Sequence, residues 1–173
     1  EALRKQKQFR AGLECSLDKV RVKYGKDDCS VTYTYTVKNL DQDPLYVLDP
    51  ERINPVFFRD FHNGLSGYDI EDQTRFGWPN PRQGAPQPIP WSKIDKKWFT
   101  RLGGGESMTR TVTMPNLPRI LAGKYQCRFS LGSPGFISGL TIGLRDKEDR
   151  QFADGRMWIG AVGASKVVEF AGK

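Results

Sequence analysis

The sequence has few of the residue types that most metal sites require, and it lacks the long apolar runs of membrane-spanning helices. It contains one histidine, His62, and three widely spaced cysteines, Cys15, Cys29 and Cys127. Zinc knuckles and ribbons place their cysteines a few residues apart, so a zinc site built by this chain alone is not expected. No stretch approaches the roughly 20 consecutive apolar residues of a membrane-spanning helix, so no transmembrane segment is predicted.

An enzyme site is not expected either. Asp60 precedes His62 by two residues, and a carboxylate can orient a histidine that acts as a general base. Residues two apart on a strand share a face without forming such a dyad, and the chain lacks a Gly-x-Ser-x-Gly motif. The glycines at 103–105 precede Glu106, whose charge would repel a phosphate group, so phosphate binding is excluded.

Four carboxylates near the end of the chain are a candidate cation site. Their spacing does not match a calcium-binding EF-hand loop, and basic residues lie among them. The segment, residues 146–155, is therefore predicted to be a solvated hairpin loop, and no metal or cofactor is expected. The carboxylates are Asp146, Glu148, Asp149 and Asp154, and the basic residues are Arg145, Lys147, Arg150 and Arg156.

The chain is basic, with a formal net charge of +7. Residues 1–10, EALRKQKQFR, contribute +3 of it, from four basic residues and one carboxylate. Elsewhere the positive charges are scattered, and no basic cluster has the interleaved aromatic residues that are typical of nucleic-acid binding. We therefore interpret residues 1–10 as a solvated basic lead-in and expect no nucleic-acid partner.

Residues typical of β-strands are plentiful. Residues 29–38, CSVTYTYTVK, alternate strictly between apolar side chains and serine, threonine or lysine, which predicts a half-buried strand. Residues 13–24 alternate as well, with a change of phase near Asp18 that predicts a β-bulge. The link at 25–28, GKDD, has the composition of a turn, so the two strands are predicted to form a hairpin.

Further segments alternate in the same way, and none has the periodicity of a long amphipathic helix. They are residues 45–49, 56–61, 108–114, 124–131 and 140–144, followed by the two short stretches MWIGAV and KVVEF. About six to nine short strands with turns between them predict an all-β antiparallel sandwich or barrel. We expect this β-sandwich to be a single domain over residues 11–173.

Residues 62–107 differ from the rest because they are rich in glycine and proline and lack clear periodicity. Five of the eleven prolines lie within residues 79–90. Proline fixes φ and cannot donate to a strand ladder, so this run is predicted to be extended and polyproline-like. The whole segment is predicted to be a long insertion in the sandwich.

Large aromatic rings in this insertion are the candidates for a partner surface. Long loops without secondary structure are uncommon unless they are functional or disordered, and tryptophan and tyrosine are frequent hot spots in interfaces. We expect most of the rings to pack on the sandwich and part of the insertion to contact a partner. The candidate residues are Phe76, Trp78, Trp91, Trp98, Phe99 and Arg101.

The segment AGKYQCRF, residues 122–129, resembles strand F of an immunoglobulin-like domain, where small residues precede a Tyr-x-Cys pattern. The resemblance implies that the Tyr125 hydroxyl anchors the preceding corner and that Cys127 forms a disulfide between the two sheets. Cys29 is the implied partner, and Cys15 is the alternative. Three reduced thiols are the other interpretation.

Two more segments resemble bacterial immunoglobulin-like domains that serve as peptidase inhibitors and envelope modules. They are residues 36–49, TVKNLDQDPLYVLD, and residues 103–114, GGGESMTRTVTM, which precede GKYQCRF. A disulfide requires an oxidising compartment. The resemblance therefore predicts an exported protein in the periplasm, in the cell envelope or outside the cell.

Together these features predict a non-enzymatic module that binds a protein or glycan partner. Two alternatives stay open. One is a peptidase inhibitor that presents the insertion to its target. The other is a carbohydrate-binding domain or enzyme in which Trp78, Trp91 or Trp98 stacks on a sugar ring.

Overall fold

The computed structural model describes residues 12–53, 63–77, 95–133, 136–137, 140–141 and 151–172. Within these ranges the chain forms β-strands and one short 3-10 turn at Lys96–Trp98, so the all-β prediction is confirmed for this part. The same ranges contain no helix with the length and hydropathy needed to cross a membrane. The strands are β1 (Leu13–Tyr24), β2 (Asp28–Asn39), β3 (Leu45–Leu48), β4 (Gly64–Asp69), β5 (Arg75–Gly77), β6 (Phe99–Leu102), β7 (Ser107–Pro118), β8 (Gly123–Gly132), β9 (Phe136–Ile137), β10 (Leu140–Thr141), β11 (Gln151–Phe152), β12 (Gly155–Met157) and β13 (Ala161–Phe170).

The first sheet has the order β1-β2-β7 and is antiparallel throughout. β1 and β2 form the predicted hairpin, which the Gly25 amide closes by donating to the Asp28 carbonyl at 2.9 Å. The pairing shifts between Leu17 and Lys19, so the predicted bulge is confirmed. The alternation of β2 sends its apolar side chains into the core and its threonines outward.

The second sheet has the order β13-β8-β4-β5 and packs on the first. Phe129 of β8 stacks on Tyr35 of β2 with ring centroids 4.1 Å apart, and it lies 5.6 Å from Tyr33. β1 runs beside β13, and β5 lies beside β7, so the two sheets approach each other at both edges. The result is a two-layer antiparallel sandwich around an aromatic core.

A third sheet, β11-β12-β3-β6, contains the parallel pair β12–β3 and two antiparallel pairs. It buries Leu45, Phe99 and Met157 in the common core. Asp49, directly after β3, reaches Arg110 of β7, with Nη2 and Oδ2 2.7 Å apart. This ion pair joins the third sheet to the first. β9 and β10 pair with each other as a short antiparallel ladder.

Residues 62–107 are not one aperiodic insertion. They contain β4, β5 and β6, of which β4 pairs with β8 and β6 pairs with β3. β4 and β5 together contain three glycines, which hid the strand pattern because glycine contributes no side chain to the alternation. The proline run at 79–90, the expected strand at 56–61, most of the one at 140–144 and the lead-in 1–10 lie outside the described residues.

The disulfide implied by the resemblance is not formed, because all three cysteines are free thiols. Cys29 lies near the start of β2, and its sulfur is 3.3 Å from the Pro118 carbonyl oxygen rather than opposite another sulfur. Cys127 is buried in the middle of β8, and Cys15 lies on β1 opposite Val37 of β2. The register of these strands therefore keeps the sulfurs apart.

The Tyr125 corner contact is present without a disulfide. Its hydroxyl donates to the carbonyl of Leu121, four residues upstream, at 3.2 Å. The ring is buried beside Phe76 and Phe170, with centroids 5.7 and 5.0 Å away. This hydrogen bond fixes the turn that leads into β8, as the immunoglobulin-like resemblance implies.

Candidate functional site

The residues that the sequence analysis selected for a partner surface separate into three groups. Phe76 and Phe99 are 8% and 3% exposed, so both belong to the core and neither is available as an exposed anchor. Trp98 is half-buried against that core, and Arg101 of β6 is exposed. Trp78 and Trp91 lie outside the described residues.

Around Arg101 the third sheet builds an aromatic stack that the sequence analysis missed. The rings of Tyr46 on β3 and Phe152 on β11 are nearly parallel, with centroids 3.8 Å apart and planes inclined by 8°. Gly155, the β12 partner of Phe152, leaves room for the stack. A Cβ at Gly155 would lie 2.8 Å from the Pro44 carbonyl oxygen and 3.2 Å from the Tyr46 ring, so a side chain there would collide with the Pro44 backbone and crowd the tyrosine.

Charged groups surround this stack at fixed positions. Asp154 accepts hydrogen bonds from the Tyr46 hydroxyl and from Nε of Arg101, which is also the cross-strand partner of Tyr46. Lys96 places its Nζ 5.3 Å from the centroid of the Phe152 ring, within cation–π range. The Arg101 and Asp154 side chains are 43% and 52% exposed. We call these five residues the Tyr46 platform.

The hydrogen bonds set the protonation of the Tyr46 platform. The bond from the Tyr46 hydroxyl, helped by Arg101, lowers the pKa of Asp154, while the same bond raises the pKa of Tyr46. At neutral pH the aspartate is therefore ionised and the tyrosine is a neutral phenol. Neither group titrates near neutrality, so at neutral pH the Tyr46 hydroxyl stays a donor and the Asp154 carboxylate stays an acceptor.

The two aromatic residues of the platform were not predicted, because they gave weak signals in the sequence. Tyr46 is one of several aromatic residues in predicted strands, and nothing local distinguishes it. Phe152 lies in the acidic segment that was predicted to be a solvated hairpin loop; its residues 146–150 lie outside the described residues, and Phe152 belongs to β11, which pairs with β12. Asp154 in its turn forms an ion pair with Arg101, and the described residues contain no cluster of three potential metal ligands.

A buried polar cluster adjoins the platform through β3 and β6. The Asp49 side chain is 0% exposed and accepts from Arg110 at 2.9 and 2.7 Å, from the Thr100 hydroxyl and from the Glu51 amide. Burial alone would raise the pKa of Asp49, but these hydrogen bonds outweigh it and lower the pKa below the ordinary value. Because Thr100 neighbours Arg101, the cluster positions the β6 side of the platform.

Comparison of the chain with models of known protein families and with curated proteins found no match. The Tyr46 platform, with its adjoining buried cluster, is therefore the feature from which we infer a function.

Proposed function

We propose that this chain is a non-enzymatic binding module that binds another macromolecule through the Tyr46 platform. The proposal rests on one observation: two stacked rings lie at the surface and are surrounded by exposed, paired charges. Tyrosine, phenylalanine and arginine are enriched at the centres of protein interfaces. Rings that are already stacked and hydrogen-bonded lose little conformational entropy when a partner covers them.

The proposal includes an immunoglobulin-like β-sandwich as the scaffold. It is supported by two antiparallel sheets packed face to face and by the bond from Tyr125 to the Leu121 carbonyl. It also includes export to the periplasm, the cell envelope or the medium. Export rests on the resemblance of residues 36–49 and 103–114 to bacterial envelope modules, because the free thiols remove the argument from a disulfide.

The residues of the Tyr46 platform indicate which chemical groups the partner, a protein or a glycan, would present. An apolar group of the partner would pack on the exposed part of the rings, and carboxylate or hydroxyl oxygens would accept from Lys96 and Arg101. Lys97, exposed beside Lys96, adds a further positive charge at this edge. The partner is therefore expected to present an apolar patch bordered by acidic or hydroxyl groups.

The chain offers a matched pair of double variants for a test. Tyr46→Ser with Arg101→Ala removes the platform. Tyr68→Ser with Arg75→Ala removes another cross-strand Tyr–Arg pair, on the outer face of the second sheet, where Tyr68 is 39% exposed. Partners captured by the wild-type chain from envelope and secreted fractions of its source would be identified and their Kd values measured against both variants.

We expect the platform variant to bind at least about thirtyfold more weakly, the loss typical of a hot spot, and the Tyr68 variant to bind like the wild type. Equal binding by both variants would contradict the proposed surface. A glycan array distinguishes a glycan from a protein partner, and inhibition in a protease panel would instead support the peptidase-inhibitor alternative. Trp78→Ser with Trp91→Ser tests whether residues 78–91 contribute to the same binding.

A further inference from the structure

The outer face of the first sheet carries a regular array of hydroxyl groups. β2 and β7 alternate in register, so that threonines on the two strands lie opposite each other and face away from the core. In each of three successive pairs the two Oγ1 atoms are 2.9 Å apart. The pairs are Thr32 with Thr113, Thr34 with Thr111, and Thr36 with Thr109.

In two of these pairs, one hydroxyl hydrogen remains available for an acceptor outside the pair. A hydroxyl has a single hydrogen, so in a threonine pair one residue donates to the other and the second hydrogen remains. Thr36 donates to Oδ2 of Asp18 at 2.5 Å, so Thr109 must donate to Thr36. Both hydroxyl hydrogens of the third pair are therefore already engaged in hydrogen bonds. The other two pairs have no such carboxylate partner among the described contacts.

A row of cations runs beside the hydroxyls on β1. Lys19 lies opposite Thr34, Arg21 opposite Thr32 and Lys23 opposite Ser30, and all three basic side chains are exposed.

The Cα atoms of successive basic residues in this row are about 6.6–6.8 Å apart along the strand, and neighbouring strands are about 4.8 Å apart. The two carboxylates on β1 precede this row: Glu14 lies opposite Lys38, and Asp18, directly before Lys19, accepts from Ser16 and Thr36.

We propose that this surface, the threonine face, binds a linear polysaccharide that carries sulfate or carboxylate groups. It comprises Lys19, Arg21, Lys23 and the threonine pairs Thr32–Thr113 and Thr34–Thr111. Three evenly spaced cations beside two hydroxyl donors are complementary to anionic oxygens that repeat along an extended chain. The outward residues of β1, β2 and β7 include no aromatic ring, so the bases of a single-stranded nucleic acid would have no stacking partner.

The test uses a heparin octasaccharide as the probe, with Kd measured by titration calorimetry from low salt to about 0.15 M. One triple variant, Lys19→Gln, Arg21→Gln and Lys23→Gln, removes the cation row. The control removes the same charge from the outer face of the second sheet, where the three residues are also exposed. Its substitutions are Arg75→Gln, Lys124→Gln and Arg128→Gln. Both variants keep the basic residues 1–10.

We expect the cation-row variant to bind heparin at least about tenfold more weakly and its salt slope, log Kd against log salt, to fall by about 2–3. The control should stay within about threefold of the wild type. Equal losses in both variants would overturn the proposal because they would show non-specific attraction. Failure of the wild type to bind heparin, or equally tight binding of single-stranded oligothymidylate, would overturn it as well.

A second variant separates hydrogen bonding from charge. Thr34→Val with Thr111→Val keeps the β-branched shape of both side chains and removes their hydroxyls. We expect about threefold weaker heparin binding with an unchanged salt slope, because no cation is lost. Unchanged affinity in this variant would show that the hydroxyl pairs do not take part in binding.

Discussion

Asp49 carries a fully buried charge at the junction of the first and third sheets. Its two oxygens accept from the Arg110 guanidinium, the Thr100 hydroxyl and the Glu51 amide. Arg110 is itself only 19% exposed, and its other carboxylate neighbour, Glu51, is 63% exposed with Oε2 3.4 Å from Nε, so Asp49 is its buried counter-charge. Removing one member of such a pair leaves the other charge desolvated and without compensation.

We predict that Asp49→Asn lowers the free energy of unfolding by about 3 kcal/mol, because it leaves the mostly buried Arg110 with only the exposed Glu51 carboxylate as a counter-charge. Urea denaturation followed by circular dichroism measures the change. Asp154→Asn is the control, because it breaks an exposed Asp–Arg pair that solvent screens, and it should leave the urea midpoint nearly unchanged. Equal midpoints for Asp49→Asn and the wild type would contradict this role of Asp49.

The same residue predicts how stability depends on pH. The folded-state pKa of Asp49 is lower than its ordinary value of 3.8, so the unfolded chain takes up the proton at higher pH than the folded chain does. The stabilisation is therefore complete above the ordinary pKa and is lost as the pH falls through the lower, folded value. Urea midpoints between about pH 6 and pH 2 should fall less steeply for Asp49→Asn than for the wild type. Parallel curves would contradict the lowered pKa.

At the scale of elements, the edge of the second sheet depends on glycines that admit close packing. A Cβ at Gly67 of β4 would collide with the Phe76 ring of β5, which lies over it. Gly77, the last residue of β5, has a φ of +82°, and a Cβ there would collide with the backbone of Leu65. The strand pair therefore needs glycine for space and, at Gly77, also for its backbone conformation.

Gly77→Ala and Gly105→Ala separate these two requirements. Gly105 has a similar φ of +77°, but a Cβ there would meet no atom within 4 Å. Both substitutions carry a left-handed backbone penalty of about 1–2 kcal/mol. We predict that Gly77→Ala costs about 1–3 kcal/mol more because it also displaces the backbone of β4. Urea denaturation of both variants measures the difference, and equal losses would show that the close approach is tolerated.

At the scale of the whole molecule, the described sheets share one core without a covalent cross-link. Side chains of the first and second sheets meet at Tyr35 and Phe129, and the third sheet adds Leu45 and Phe99 to the same buried cluster. Free thiols occupy the positions where the immunoglobulin-like resemblance implied a bridge. Stability therefore depends on packing and on the Asp49–Arg110 ion pair rather than on a disulfide.

We predict that reductant leaves the Tm of the protein unchanged and that Ellman titration in denaturant without reductant detects three thiols. The folded protein should react slowly, because burial raises the pKa of Cys127 to about 12, and burial together with Asp18 raises that of Cys15 to about 12. Little thiolate then exists at the assay pH near 8. Detection of a single thiol in denaturant would show that a disulfide exists.

Several parts of this fold follow from local patterns and could be predicted before the structure was known. The alternation of apolar and polar residues predicted β1, β2, β7 and β8. The phase change at Asp18 predicted the bulge, and the GKDD link predicted the first turn. The Tyr125 corner is equally local, because donor and acceptor are four residues apart. Strand faces, bulges and turns depend on neighbouring residues, so a sequence displays them directly.

The candidate site could not be predicted in this way. Tyr46 and Asp154 are 108 positions apart and meet only because β12 pairs in parallel with β3. Two other features depend in the same way on which strands become neighbours and in which register. They are the burial of Phe76 and Phe99 and the separation of the cysteine sulfurs. Alternation records which face of a strand is apolar, but it carries no information about the partner strand. Pairing of distant strands is set by the packing of the complete core, and that packing creates the Tyr46 platform.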